Sequence, residues 1–173
     1  GCQVNSPWDD GICLKSSFAL GYARATENVA ISDDIVSGFD EGALLDPDHR
    51  LLEKQISRDN PIGRIKLGTE SNGGFKNIAV TNCIFEHCRG LALETVDGGS
   101  LEEVSVSNIT MRDIGNAPLF IRLGSRMRGP AGVPVGSVRK INISGVVVSN
   151  SRNMQVKTGC VITGSPGDRK SVV

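Results

Sequence analysis

The chain has 173 residues, and its 19 lysines and arginines are balanced by 19 aspartates and glutamates. A net charge of zero gives no support for a nucleic-acid or anionic-membrane partner, and no apolar run has the length of a membrane span or the pattern of a signal peptide. We therefore expect no nucleic acid and no membrane as partners, and the 21 glycines favour short strands and turns over a helical bundle.

The chain opens on two short apolar stretches, residues 2–4 and 11–15, which fit the second and third strands of a repeat. Four later segments alternate apolar and polar residues, a pattern typical of half-buried strands. These segments are residues 28–33, 77–82, 103–108 and 140–145. Each ends on Asp, Asn or Gly, which tolerate the left-handed backbone of a sharp corner. A second apolar strand follows every time, and a third follows in three cases.

The spacing of these four segments predicts the fold. Their first residues are separated by 49, 26 and 37 positions. We call each of these three separations a step. One coil of about 26 residues explains all three steps if the first step holds two coils and the third holds one coil and an insertion. Three strands per coil without helical spacing predict an all-β fold, a right-handed parallel β-helix. A leucine-rich repeat would need a shorter period and a fixed leucine-and-asparagine phrase.

Two stretches interrupt the coils. Residues 46–60 are polar and predict an excursion loop, and residues 124–136 form a second insertion that is rich in glycine and proline. We assign residues 1–164 to the coils and residues 165–173 to a disordered or truncated tail. Because the chain opens within a repeat, we interpret it as part of a longer protein.

Asp9 and Asp10 are adjacent on a turn before an apolar strand. Hydrolysis of a glycosidic bond needs two carboxyl groups, one protonated to release the leaving sugar and one ionised to activate water or attack carbon. Mutual repulsion, or burial against Trp8, would raise the pKa of one of them. Trp8 and Tyr22 could stack on a sugar ring, although surface packing is favoured for Trp8. The alternative is a surface Asp-Asp-Gly turn without catalytic function.

Further charged side chains lie at or just past the third strands of successive coils. These candidate substrate-binding residues are Lys15, Arg64, Lys66, Glu70, Glu94 and Arg122. Outward-facing members would form a ladder beside Asp9, where arginine favours bidentate contact with a uronate carboxylate. Ion pairs on a solvated sheet face are the alternative. We interpret Arg126 and Arg128, in the second insertion, as surface charge.

We expect no metal and no cofactor. No cluster of His, Cys and carboxylate residues has zinc spacing, and no glycine-rich phosphate loop precedes a helix. The five cysteines include no CxxC pair, so most of them are interpreted as buried thiols. A disulfide between Cys83 and Cys88 is the alternative.

The octapeptide DDGICLKS at residues 9–16 resembles the paired-aspartate motif of glycoside hydrolase family 28, the polygalacturonase family. Residues 68–78, GTESNGGFKNI, resemble a Gly-Ser-Glu-x-x-Gly-Gly-x-x-Asn-Ile run of its bacterial members, and the coil phrases over residues 2–148 are also similar. The resemblance implies a pectin-lyase-like β-helix that hydrolyses O-glycosidic bonds of pectic polysaccharide or oligosaccharide with inversion. It makes Asp9 the general acid, whereas Asp10 positions or deprotonates the attacking water.

The resemblance also implies a secreted or periplasmic enzyme, monomeric when full length, with a further aspartate on a coil before Gly1. Two motifs of the family are missing. Its Gly-His-Gly motif corresponds to residues 60–64, which contain no histidine, and its Arg-Ile-Lys motif corresponds to Ala-Leu-Glu at residues 92–94. An Arg-Ile-Lys string occurs one coil earlier, at residues 64–66. These departures predict altered specificity, on rhamnogalacturonan or another decorated uronate chain.

Two other functions fit the same architecture. The first is β-elimination of the pectate-lyase type, in which Asp9, Asp10 and Glu70 would bind calcium. The second is a non-catalytic β-helical module that binds carbohydrate or serves in adhesion. Unsaturated products would distinguish elimination, and an oligosaccharide bound without being cut would distinguish the binding module.

Overall fold

The computed structural model describes residues 1–40, 45–46, 61–151 and 159–165. The predicted all-β class is confirmed in this part of the chain, which forms twelve strands joined in parallel pairs. The strands are β1 (Gln3–Asn5), β2 (Ile12–Ser16), β3 (Thr26–Ser32), β4 (Ile35–Ser37), β5 (Ile65–Ser71), β6 (Phe75–Thr81), β7 (Ile84–Glu86), β8 (Leu91–Thr95), β9 (Leu101–Arg112), β10 (Leu119–Leu123), β11 (Val138–Ser149) and β12 (Val161–Thr163). A short 3-10 helix, Phe18–Leu20, follows β2. The described helical segments are all too short to cross a bilayer.

The strands form two sheets. One has five strands in the order β12-β10-β8-β5-β2, which contains every predicted third strand. The other has seven strands in the order β1-β4-β7-β9-β6-β3, with β11 paired to β9. Strands β9 and β11 are 12 residues long because the first and second strands of a repeat run together in each of them. The first part of β9 pairs with β6, and its last part pairs with β7.

The predicted alignment of the repeats is confirmed by the strand register. Val29 pairs with Ile78, Ile78 with Val104, and Val104 with Ile141, which reproduces the three spacings found in the sequence. The opening strands were also assigned correctly, since β1 pairs with β4 and β2 pairs with β5.

The prediction that the first step holds two coils is wrong. Strand β3 pairs directly with β6, and β4 pairs directly with β7, so no repeat lies between them. Strand β5 (Ile65–Ser71) is instead the third strand of the repeat that begins with β3. The additional residues of that step lie between β4 and β5, and nearly all of the predicted excursion loop, residues 47–60, falls outside the described residues. The second insertion, residues 124–136, contains no strand, and residues 166–173 of the predicted tail are not among the described residues.

The core lies between the two sheets and consists of the inward apolar side chains of both. Leu67 and Leu93 come from the five-stranded sheet, and Val80 and Val106 come from the seven-stranded sheet, with none more than 1% exposed. Alternation along each strand places these residues inside and their polar neighbours outside. Cys83 and Cys88 are buried free thiols of the same core and form no disulfide. The prediction that most of the five cysteines are buried is wrong, because Cys2 and Cys160 are exposed and Cys13 is only partly buried.

The corners between first and second strands have the left-handed backbone that the sequence predicted. The φ angles are 61° at Asp33, 55° at Asn82, 54° at Asn108 and 61° at Gly145. The side chains also connect successive repeats, because Asn82 Nδ2 donates to Asp33 Oδ1 and Asn108 Nδ2 donates to Asn82 Oδ1, each at 3.2 Å. Asn and Gly are favoured here because a left-handed backbone strains residues with larger branched side chains.

Replacing Asn82 with valine is expected to lower the free energy of unfolding by about 2 kcal/mol, because a β-branched residue is strained at positive φ. Asn82→Gly is the matched control and should cost less than about 1 kcal/mol, since glycine adopts this backbone freely. Urea unfolding followed by circular dichroism measures both. Equal effects of valine and glycine would show that the side-chain hydrogen bonds, and not the backbone, determine the residue at this corner.

Candidate functional site

The turn that carries Asp9 and Asp10 is fixed to the beginning of β5. The amides of Gly11 and Ile12 both donate to the Arg64 carbonyl, at 2.9 and 3.2 Å, and the Gly63 amide donates to the Asp9 carbonyl at 3.0 Å. These backbone contacts place the Asp10 carboxylate beside Arg64 although 54 positions separate the two residues in the sequence.

Asp10 is held between two cations on the outer face of the five-stranded sheet. Its Oδ1 accepts from Arg64 Nε at 2.8 Å, and its Oδ2 lies 3.1 Å from Lys66 Nζ. Arg64 and Lys66 face the same side because they are two positions apart in an extended segment, whereas Ile65 between them points into the core and is fully buried. The three charged side chains are only 7–13% exposed.

The environment of Asp10 keeps it ionised. Burial by itself would raise the pKa of this carboxyl, but the hydrogen bond and positive charge of Arg64, together with Lys66, lower the pKa below its ordinary value. The sequence predicted that one of the paired aspartates has a raised pKa, and Asp10 is not that residue. Asp10 is therefore in the ionised state that a general base requires, although the lowered pKa makes it a weaker base than an unpaired aspartate.

Asp9 differs from Asp10 in its surroundings. It is exposed, and its Oδ1 accepts a hydrogen bond from the Asp10 amide at 2.8 Å. Trp8, for which the sequence favoured packing at the surface, is 58% exposed. Tyr22 is also exposed, at 54%. The turn therefore presents a carboxyl group and an aromatic ring to solvent side by side.

Glu94 lies on the neighbouring strand β8 and faces the same cations. Its Oε1 lies 3.8 Å from Arg64 Nη2 and 3.9 Å from Lys66 Nζ, and its Oε2 lies 3.9 Å from Arg122 Nη1 on β10. Charges thus alternate in sign from the turn before β2, which carries Asp10, across β5, β8 and β10. We call Asp10, Arg64, Lys66, Glu94 and Arg122 the charge ladder. The structure brings together these five of the sequence-predicted residues.

Lys15 and Glu70 form a separate, more exposed pair. Lys15 Nζ lies 2.5 Å from Glu70 Oε2, and this contact raises the pKa of the lysine and lowers that of the glutamate. They meet because the register between β2 and β5 shifts between Leu14 and Ser16, which places Ser16 opposite Ser71. A shift of this kind was not visible in the sequence. Among the described residues no group of three His, Cys, Asp or Glu side chains is arranged to hold a metal ion, and Glu70 is paired with Lys15.

A cavity of about 200 Å³ adjoins the charge ladder at β8 and β10. It is lined by Arg64, Arg89, Glu94, Asn116, Ala117 and Phe120. Arg64 and Glu94 were predicted from the sequence as site residues, whereas the other four lining residues were not. Strand alternation could have indicated Phe120, which lies two positions before Arg122 and therefore on the same outer face of β10.

Arg126 is not the surface charge that the sequence indicated. Its Nε donates to Asp97 Oδ1 at 3.0 Å, its Nη2 pairs with Asp97 Oδ2, and its Nη1 donates to Thr69 Oγ1 at 3.0 Å. The Asp97 side chain is fully buried, and Asp97 Oδ1 also accepts from the Arg128 amide at 3.0 Å. The carboxylate thereby holds the beginning of the second insertion against β5. Sequence reasoning missed Asp97 because its partners come from distant segments.

Comparison of the chain with protein-family models, with curated proteins and with solved structures found no match. The likeness to glycoside hydrolase family 28 therefore depends on residues 9–16, residues 68–78 and the repeat phrases.

Proposed function

We propose that the two sheets are faces of a right-handed parallel β-helix and that the protein is a glycosidase. The third strands follow one another in chain order across the five-stranded sheet, and the first and second strands do the same across the other sheet. This order is what successive coils of a parallel β-helix produce. Connections between parallel strands of one sheet are right-handed in nearly all proteins, which supports the proposed hand.

The proposed reaction is hydrolysis of O-glycosidic bonds in pectic polysaccharide or oligosaccharide with inversion. The observation that carries it is the pairing of an exposed Asp9 with an ionised Asp10 held by Arg64 and Lys66. In this scheme Asp9 donates its proton to the leaving oxygen as the bond from that oxygen to the anomeric carbon breaks. Asp10 takes a proton from the water that attacks the opposite face of the same carbon.

The remaining charged groups would bind substrate in this scheme. Lys15, Glu70 and Arg122 are the more exposed of them, with side chains 53%, 33% and 48% accessible. Trp8 would stack on a sugar ring beside Asp9, because exposed aromatic faces suit the apolar faces of sugars. Secretion or a periplasmic location, and a monomeric full-length enzyme, belong to the same proposal.

The test is product analysis with the protein expressed from its own gene, including any residues that flank this chain. Incubation with pectic fractions is expected to release reducing ends, and proton NMR during early turnover should show the inverted anomer. Asp9→Asn should lower kcat by about 10²–10⁴-fold, the usual contribution of a general acid. If Asp9→Asn kept the kcat of the wild type, Asp9 would not be the general acid.

Two other experimental results would favour a different function for the protein. Unsaturated products that absorb in the ultraviolet and require calcium would indicate β-elimination. Binding of an oligosaccharide that is never cut would indicate a non-catalytic module. The second outcome is favoured by one observation, the engagement of Asp10 and Glu94 in ion pairs within the protein.

A further inference from the structure

The cavity beside the charge ladder is surrounded by more positive than negative charge. Among the described residues, four cations and two carboxylates line it or contact a charged residue of its lining. These are Arg64, Arg89, Lys66 and Arg122 on one side and Glu94 and Asp10 on the other. An excess of positive charge at a poorly solvated cavity attracts an anion. The volume of about 200 Å³ suits a compact one, since pockets for drug-sized ligands have roughly 300–1,000 Å³.

Arg64 belongs to the cavity and to the ion pair of Asp10 at the same time. Its Nε donates to Asp10 Oδ1 at 2.8 Å, whereas its Nη2 lies 3.8 Å from Glu94 Oε1, which is longer than a hydrogen bond. The charge of a guanidinium is delocalised over all three nitrogens. An anion bound at the Nη end would therefore offset the positive charge that Asp10 feels at Nε. It would also add a negative charge near Asp10, and both effects favour the protonated carboxyl.

The burial of Asp10 makes it sensitive to a charge in the cavity. Its side chain is 7% exposed, and those of Arg64 and Lys66 are 11% and 13% exposed, so salt screens these charges less than at an open surface. The other charged or titratable groups near Asp10 are Asp9, Cys13, Lys15 and Glu94. Because Lys15 is paired with Glu70 at 2.5 Å, Arg64 and Lys66 are the cations that hold Asp10 ionised.

We propose that the cavity binds a compact anionic group and that Arg64 couples this binding to a proton on Asp10, so that each promotes the other. The inference rests on the proposed glycosidase function and adds a means of regulation to it. In the free protein Arg64 and Lys66 keep Asp10 a weak base. An anionic group that enters the cavity takes up part of the charge of Arg64, so Asp10 becomes a stronger base only while the site is occupied.

The probe is methanesulfonate, a compact anion that stays ionised over the pH range in which carboxylates titrate. Titration of the ¹⁵N-labelled protein at neutral pH, followed at the amides of Ala117 and Phe120, gives its dissociation constant. Asp10→Asn imitates the protonated carboxyl and is expected to bind the probe at least about 5-fold more tightly than the wild type, as coupling between two sites requires. Asp33→Asn makes the same change at an exposed corner and should leave the dissociation constant unchanged.

The coupling can also be measured in the wild type. Burial raises the pKa of Asp10, and Arg64 and Lys66 lower it below its ordinary value. The carboxyl carbon signal of ¹³C-labelled Asp10, followed against pH, reports this pKa. A saturating concentration of the probe, at constant ionic strength, should raise the pKa by the logarithm of the same factor, because coupling is reciprocal. Dimethyl sulfone, an uncharged molecule of similar shape, should leave it unchanged.

Two further variants test whether Arg64 carries the coupling. Arg64→Lys keeps a positive charge but replaces the planar guanidinium with a point charge, so Asp10→Asn should change the affinity in this background by less than about 2-fold. Arg122→Gln removes a cation that contacts Glu94 at 3.9 Å. It should weaken binding of the probe with and without Asp10→Asn and preserve the ratio of the two affinities. Thermal unfolding of each variant verifies that it is folded.

Equal or weaker binding in Asp10→Asn, or a pKa of Asp10 that the probe does not raise, would overturn the inference. Absence of binding to both proteins would contradict the anion site itself. Failure of the proposed function gives a different result. If the coupling is found but no pectic fraction is hydrolysed, the coupled site stands and the glycosidase proposal fails. If pectic fractions are hydrolysed and Asp10→Asn lowers kcat while no coupling is found, the glycosidase stands and this inference fails.

Discussion

Replacing Asp10 with asparagine is expected to lower kcat for hydrolysis by about 10²–10⁴-fold, because the amide cannot take the proton of the attacking water. The change should also lower the free energy of unfolding by about 2–3 kcal/mol, since Arg64 and Lys66 lose their closest carboxylate. Glu94 remains 3.8–3.9 Å from both cations, which limits the loss. Initial rates at a temperature well below unfolding separate the catalytic effect from the effect on stability.

The stability effect of Asp10→Asn should depend on pH. Arg64 and Lys66 depress the pKa of Asp10 in the folded state below its ordinary value of 3.8, although burial opposes them. A carboxyl with a depressed pKa stabilises the fold above its unfolded-state pKa and loses this contribution as the pH falls through the folded-state value. The difference between wild type and variant is therefore expected to be largest above about pH 5 and to shrink below the ordinary value.

Asp33→Asn is the matched control for Asp10→Asn. It makes the same chemical change at an exposed corner between β3 and β4, where asparagine also tolerates a φ of 61°. Its rate and stability should stay close to those of the wild type. Wild-type kcat in Asp10→Asn would contradict the assigned role, whereas equal losses in both aspartate variants would indicate a general effect of charge.

Replacing Asp97 with alanine is expected to lower the free energy of unfolding by about 3–5 kcal/mol, because it leaves the buried part of Arg126 without its anion. The carboxylate also accepts the Arg128 amide at 3.0 Å, so the beginning of the second insertion should detach from β5. Chemical unfolding measures the first effect. Faster cleavage by trypsin after Arg126 and Arg128 in the otherwise folded protein measures the second.

A double-mutant cycle of Asp97→Ala and Arg126→Ala tests the pairing directly. The two losses should be far from additive, since Arg126→Ala strands the fully buried Asp97 and Asp97→Ala removes the anion that Arg126 contacts. Glu103→Ala, which breaks an exposed pair with Lys140, should change the free energy of unfolding only slightly. Additive effects at Asp97 and Arg126 would show that their contact does not stabilise the insertion.

The candidate site was only partly predictable. The polar residues of the charge ladder were identified individually, because a polar residue next to core positions of a strand must face outward. Which of these residues form ion pairs with one another could not be predicted, since this depends on which strands become neighbours. If the first step held two coils, an additional strand would lie between β2 and β5 and would separate Asp10 from Arg64. In the structure β2 pairs directly with β5.

The sequence by itself determined the all-β class, the alternation of apolar and polar residues along the strands, and the alignment of the repeats. These features follow from local alternation and from the spacing of corner residues such as Asn82, which the chain carries independently of its contacts. The tertiary structure decided the location of the first insertion, the register shift that pairs Lys15 with Glu70, and the burial of Asp97 against Arg126. Each depends on segments far apart in the chain, and the pKa of Asp10 is lowered only because folding places two cations within hydrogen-bonding distance.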